Sequence, residues 1–325
     1  MTLTLVEQRT SAARAPGVVA TRRVRIAVPS VVILVATSAV VWTGASSLLA
    51  DHRLGAALAG GWAELAAPLV LALVLALVVC EQRWPAERRP VLARGLVHDA
   101  CFFVLHLALV IPLMTLLAFG FSRVLDDLVG GSWRSWTGSI PLWALAAATL
   151  MAMDAGNWLA HWTEHRVGAL WRMHALHHSQ EELNVFTSFR AHPLSHFMGF
   201  CLATVPVVLV MGARPLTPVL ITIYVCLGTL PHANVPWSYG PLGKVVVSPA
   251  YHRIHHSSEG ALGVNLGIVL TAWDVMSRRA RFPRPGDVPC PTGIAGRPLA
   301  TEQTARGKAH VAVLINQLLE PFAKS

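Results

Sequence analysis

The sequence predicts an all-α, multi-span helical membrane protein carrying a cytosolic, histidine-rich, metal-binding cap. Three observations lead there. The 325-residue chain is 54% hydrophobic and only 13% charged, whereas an ordinary soluble domain carries roughly 25% charged residues. Its apolar residues gather into runs long enough to cross a bilayer, which takes about 20 residues in a helix. Eight of its 15 histidines fall into three tight clusters beside those runs. The net charge of +9 invites a nucleic-acid interpretation. However, the arginines bunch at Arg9 to Arg25, Arg83 to Arg94 and Arg278 to Arg284, flanking apolar runs instead of forming a binding face. That distribution follows the positive-inside rule and argues against a nucleic-acid partner.

Residues 1–25 read as a basic cytosolic leader with Arg9, Arg14, Arg22, Arg23 and Arg25. The apolar run after it exceeds a signal-peptide core and is expected to be a retained anchor. Candidate spans are roughly 26–50, 63–80, 100–120 and 140–160. A further apolar stretch, 197–231, is broken by Gly212-Ala-Arg-Pro215 and fits a tight or half-inserted helical hairpin. The arginine asymmetry places the N-terminus and the 83–97 loop inside, and the 51–62 and 122–139 loops outside. On that count all three histidine clusters meet at the cytoplasmic face. Residues 81–282 form the expected catalytic domain. Pro283, Pro285, Pro289, Pro291 and Pro298 mark an extended linker in 283–325, with a short helix between Thr301 and Leu319. Cys80, Cys101, Cys201, Cys226 and Cys290 show no paired spacing, so neither a disulfide framework nor cysteine ligation is expected.

The clusters are His161-Trp-Thr-Glu-His165, His174-Ala-Leu-His177-His178 and His252-Arg-Ile-His255-His256. Residues three and four apart share a helix face, so each cluster aims two or three imidazoles at one region. Neutral imidazole ligates zinc, iron, copper and nickel. Asp154 lies two turns before His161 on nearly the same face and is expected to accept a hydrogen bond from a ligand imidazole. Asn234 and Asn265 suit either ligand contacts or turn chemistry, with the balance toward turns. His52, His98, His106 and His310 lie away from the clusters, and His196 suits an interfacial position.

These motifs resemble the fatty acid hydroxylase and sterol desaturase superfamily of membrane diiron enzymes. The resemblance runs over about 81–282. It includes Glu81-Gln-Arg-Trp-Pro85, Asp154, Trp171 through Ser179, Glu182, Asn184 and Arg190-Ala-His-Pro193. It continues through His232-Ala-Asn234, Ser248 through Ser257, Asn265 and Trp273-Asp274. It implies a helical scaffold with a cytosolic cap over two iron ions, and it adds His232 to the eight clustered histidines as a ninth ligand. It also sets Asp154, Asn184, His192, Asn234 and Asn265 behind the ligands. Two departures stand out. The family often has Arg where this chain has Trp162, and an acidic residue where this chain has Arg166.

The resemblance makes the expected function a non-haem diiron oxygenase that hydroxylates or desaturates a lipid with O₂. Ordinary side chains cannot activate dioxygen, so a cofactor must. Sterols, fatty acyl chains, sphingoid bases, carotenoids and alkyl ethers all suit such a site. Leader and tail are short for a haem or flavin domain. Electrons are therefore expected from a separate carrier (a ferredoxin, a cytochrome b5-like protein or a reductase). A basic rim of Arg166, Arg172, Arg253 and Arg278 to Arg281 suits either docking an acidic carrier or facing the membrane, with the balance toward the membrane. Two alternatives remain open. A zinc hydrolase would keep three protein ligands and an open position. A metal transporter would hold its ligands near mid-bilayer.

Overall fold

The computed structural model describes residues 67–89, 95–110, scattered positions in 113–128, 138–207, 216–260, 263–295 and 308–322. The predicted leader and the 26–50 span lie outside these residues. So does the Gly212–Pro215 break.

Among the described residues the secondary structure is helical, with two isolated β-bridges, Val246 to Leu270 and Ser257 to Thr292, and no strand. Helix α1 spans Ala67–Arg83 and carries the second predicted run past its expected end. Helix α2 spans Leu96–Leu105 and passes into a π-helical turn, His106–Val110. Helix α3, Leu142–Arg166, runs beyond the predicted 160 and so places both His161 and His165 on one continuous helix. Helix α4, Gly168–His178, follows after a single extended residue, Val167. The segment predicted as a hairpin is helix α5, Pro193–Gly199, with a π-turn Phe200–Thr204, and helix α6, Leu216–Thr229. Short helices α7, Pro249–His255, and α8, Ala272–Met276, complete the histidine-bearing region. The expected tail helix is α9, Lys308–Leu319.

No described helix is long and apolar enough to cross a membrane. Helix α3 has 25 residues, but Asp154, Asn157 and its two histidines dilute the apolar run. The five cysteines are free, as their spacing predicts.

Two apolar clusters hold the helices together. In one, Val70, Val74 and Leu77 of α1 pack with Phe103 of α2, the Val185–Phe189 turn and Ala233 and Val235. Phe103 meets Phe189 edge-on at 4.6 Å between ring centroids, a geometry that aromatic quadrupoles favour. In the other, Leu145 and Met153 of α3 pack on Val207, Leu220 and Tyr224. Helix α3 approaches the Phe200–Thr204 turn so closely that a Cβ on Gly156 would lie 2.0 Å from the Leu202 carbonyl oxygen. Only glycine fits there.

The end of α1 latches this framework to the histidine cap. Glu81 accepts hydrogen bonds on one oxygen from the backbone N–H groups of Val185 and Asn234, both at 2.8 Å. Asn234 in turn accepts from the Glu87 N–H and from Arg253, whose guanidinium also reaches Glu87.

Candidate metal centre

The nine histidines singled out in the sequence come together and divide into two groups. His161, His165, His174, His178 and His255 form one; His177, His232, His252 and His256 form the other. Within each group the ligand atoms lie within 4.8 Å of one another. The two His-x-x-His-His motifs are shared in a regular way. In each, the first and last histidines, at i and i+4, serve one group while the middle one serves the other. On α4, His174 and His178 face the five-histidine group and His177 the four-histidine group. On α7 the assignment reverses, with His252 and His256 in the four-histidine group and His255 in the five. The groups adjoin, since His178 of one stacks on His256 of the other at 4.5 Å.

In the four-histidine group the ring Nε2 atoms converge. His232 lies 3.1 Å from His177 and 3.0 Å from His252, and His256 lies 3.2 Å from His252. In the five-histidine group the Nε2 atoms of His165 and His178 are 3.1 Å apart. The Nε2 atoms of His161, His174 and His255 are buried and have no hydrogen-bond partner. Buried polar atoms are rarely left unpaired. A cation at the focus of each group would satisfy these nitrogens, so the donor set fits metal.

Ring orientation comes from the opposite nitrogen. The Nδ1 of His161 faces the Leu266 carbonyl at 2.8 Å, that of His255 the Val264 carbonyl at 2.8 Å, and that of His177 the Arg190 carbonyl at 3.2 Å. A carbonyl only accepts, so each Nδ1 carries the proton and each Nε2 presents a lone pair. The Nδ1 of His174 sits 2.9 Å from Glu164. Burial pushes all nine imidazoles below the usual histidine range, His232 to about 3, and neighbouring imidazoles add to this for every one except His161. They are therefore neutral at neutral pH, the form that ligates. The His174–Glu164 contact is then a hydrogen bond to a carboxylate, not an ion pair.

The residues expected behind the ligands make their hydrogen bonds to backbone and to other side chains. Asp154 touches no ligand imidazole. Its oxygens accept from Tyr224 Oη, the backbone N–H groups of Val269 and Leu270, and Trp273 Nε1, at 2.8 to 3.1 Å. It thereby ties α3 to the chain leading into α8. Asn184 caps the Val185–Phe189 turn and donates to Asp99. His192 caps α5 and reaches the Leu318 carbonyl of α9. Asn265, at a φ of 55°, hydrogen-bonds the Tyr251 carbonyl and both backbone groups of Arg281 that it can reach. Asparagine tolerates this left-handed conformation, which lets the carbonyls on either side, Val264 and Leu266, serve two different histidines. Asn265 thus shapes a turn, whereas Asn234 pins the Glu87 backbone and Arg253.

The basic rim also changes. Arg253 is buried and belongs to the Glu87–Asn234 latch, and Arg279 donates to the Gly263 carbonyl. Arg166, Arg172, Arg278 and Arg281 are exposed. Of the two departures from the family pattern, Trp162 stacks on Trp158 and Arg166 lies over the Trp162 ring at 5.9 Å.

Sequence reasoning assigned no role to three carboxylates that organise the site. Glu164 binds His174. Asp99 pairs with the buried Arg190 at 3.0 Å. Asp274 accepts four hydrogen bonds. Glu164 lies inside the first histidine motif, three residues after His161, and its helical register was the available signal. Asp274 stands in the quoted Trp273-Asp274 pair, but its partners are dispersed along the chain.

Neutral imidazoles focused on two adjoining points make a candidate two-site metal centre on a helical scaffold. Residues 146–278 match the family model "Fatty acid hydroxylase". Ornithine lipid hydroxylase OlsE of Rhizobium tropici is 30% identical over 191 residues, covering 58% of this chain and 54% of that protein. The alkylglycerol monooxygenases of Caenorhabditis elegans and Homo sapiens are each 26% identical, over 145 and 132 residues, covering 43% and 39% of this chain and 28% of theirs. The matches therefore span about half of the first relative and under a third of the others. No solved structure matches. Over residues 146–278 the chain is therefore similar to the fatty acid hydroxylase family.

Proposed function

We propose that this protein is a membrane-bound, non-haem diiron oxygenase that hydroxylates a lipid, with O₂ as co-substrate. The observation that carries this is the partition of nine histidines, eight of them buried, into two adjoining groups with converging ring nitrogens. Imidazole alone does not select iron over zinc. Iron is supported by the similarity to proteins named hydroxylase and monooxygenase. Those names also favour hydroxylation over desaturation, and a polar or ether lipid over a soluble substrate.

In this reading His161, His165, His174, His178 and His255 hold one ion and His177, His232, His252 and His256 the other. When bound, two irons supply the electrons and the Lewis acidity that dioxygen activation requires. The protein's own work is to keep nine imidazoles neutral and pre-aimed. Glu164 and the carbonyls of Val264, Leu266 and Arg190 hold the Nδ1 protons of His174, His255, His161 and His177, and burial keeps water from the focus. The catalytic domain is 81–282, with the metal centre on the cytoplasmic side and the apolar runs at 26–50, 63–80, 100–120, 140–160 and 197–231 in or at the membrane. A lipid chain then reaches the centre sideways from the bilayer. Electrons come from a separate protein, and the exposed Arg166, Arg172, Arg278 and Arg281 suit an acidic carrier.

Lipid profiling under ¹⁸O₂ of cells with and without the protein tests this. The expected result is a lipid that gains one labelled oxygen only when the protein and O₂ are both present. An unlabelled, O₂-independent product would favour metal-dependent hydrolysis and overturn the oxygenase.

A further inference from the structure

Each histidine group is backed by its own buried carboxylate. Asp274, on α8, is fully buried. One of its oxygens accepts from the Leu266 N–H at 2.9 Å and from Trp158 Nε1 at 3.0 Å. The other accepts from the Gly267 N–H at 2.8 Å and from Tyr251 Oη at 2.9 Å. Four donors fill the acceptor positions of one carboxylate. Trp158 stands on α3 one turn before His161, Tyr251 stands on α7 one turn before His255, and Leu266 supplies the carbonyl that orients His161. Between Val264 and Leu266, Asn265 turns the two carbonyls toward His255 and His161. A Cβ on Gly267 would meet the Leu270 carbonyl oxygen at 2.6 Å and Asp274 at 3.1 Å, so the loop presses directly on the carboxylate. The Leu266 and Val264 carbonyls and Trp158 lead to the five-histidine group, whereas Tyr251 lies on α7, which also carries His252 and His256 of the other group.

Asp99, on α2, is the counterpart. Its carboxylate accepts from Arg190 at 3.0 Å, Gln180 at 2.6 Å and Asn184 at 2.9 Å. The Arg190 carbonyl faces His177, a member of the four-histidine group.

We infer that Asp274 and Asp99 are positioning residues with divided duty: Asp274 sets the affinity and geometry of the five-histidine metal site, and Asp99 that of the four-histidine site. This rests on the two-metal assignment above. The physical reason is that a ligand's orientation depends on the group holding its other nitrogen, and losing such a partner typically weakens metal binding by about 10–100-fold. Asp274→Asn puts N–H donors where two donors already point. It therefore frees the 264–267 loop that carries two of the orienting carbonyls.

The test is titration of chelator-stripped, detergent-solubilised full-length protein with Co(II), read by its visible absorption bands and confirmed by elemental analysis. His165→Ala and His232→Ala give reference spectra for each site alone. The wild type is expected to bind two ions. Asp274→Asn should weaken one by roughly 10–100-fold and keep the spectrum of the site that survives in His165→Ala. Asp99→Asn should keep the spectrum of the site that survives in His232→Ala. Tyr251→Phe removes one donor of four without opening a large cavity, and should show the same selectivity as Asp274→Asn in smaller measure. It serves if Asp274→Asn does not fold. Equal weakening of both sites in the folded variants, or of neither, overturns the division of duty. A wild type that binds one ion or none overturns the two-metal assignment itself.

Discussion

At the residue scale the chemistry depends on which nitrogen of each imidazole is free. His161, His177 and His255 all have Nδ1 against a backbone carbonyl, so in each the Nε2 is the nitrogen left to ligate. Replacing any of them by alanine should abolish product formation while helicity by circular dichroism is retained, since each removes a ligand from a buried site. Wild-type turnover in a folded variant would remove that residue from the ligand set. Glu164 offers a graded case. Glu164→Gln keeps an oxygen for the His174 Nδ1–H, whereas Glu164→Ala leaves that proton unpaired. Losing the partner of a ligand imidazole typically costs about 10–100-fold, so kcat and metal retention should fall that far in Glu164→Ala and much less in Glu164→Gln. Equal losses in both would mean that the charge matters and the hydrogen bond does not. The nine ligand candidates were legible in the sequence because helical spacing is local. Their orienting groups were not, because a backbone carbonyl carries no side-chain signature. Asp154 shows the limit of spacing arguments: two helical turns put it on the expected face, yet its hydrogen bonds all go to Tyr224, Trp273 and the Val269–Leu270 backbone.

Elements meet at close, specific contacts, and two of these predict stability. Glu81 satisfies the N–H groups of Val185 and Asn234 with one oxygen. Removing it strands two donors, each costing about 1–3 kcal/mol if left unsatisfied. Glu81→Ala should therefore lower the thermal unfolding midpoint well beyond Glu81→Gln, which keeps an acceptor. No difference between the two would show that water takes over the donors. At the crossing of α3 with the Phe200–Thr204 turn, Gly156→Ala drives a methyl into the Leu202 backbone. Backbone cannot rotate aside as a side chain does, so the helices must separate. A loss at or above the roughly 1–3 kcal/mol of core overpacking is expected in denaturant unfolding. Helix positions were readable from apolar runs, as α1, α3 and α9 show. The extension of α3 through Arg166 was not, because its end is polar and is held by tertiary contacts, Glu164 with His174 of α4 and His161 with the Leu266 carbonyl. Asp99 and Asp274 went unassigned for a related reason: Asp99 lies 81 residues from Gln180 and Asp274 116 from Trp158.

For the whole molecule, four histidine-bearing segments (α3, α4, α7 and the turn at His232) and the loop that orients two of their rings converge on one double centre. If the arginine asymmetry sets orientation, cysteines introduced at Arg88 and His256 should both be labelled only from the cytoplasmic side. Labelling from opposite sides would break the common-cap arrangement. Most direct for the central claim is the metal content of freshly purified, iron-supplemented protein, measured by elemental analysis against protein concentration. The account predicts two iron ions per chain, falling toward one in His232→Ala as the four-histidine group is lost. A wild-type content of one ion, unchanged after anaerobic reconstitution with excess Fe(II), would contradict it.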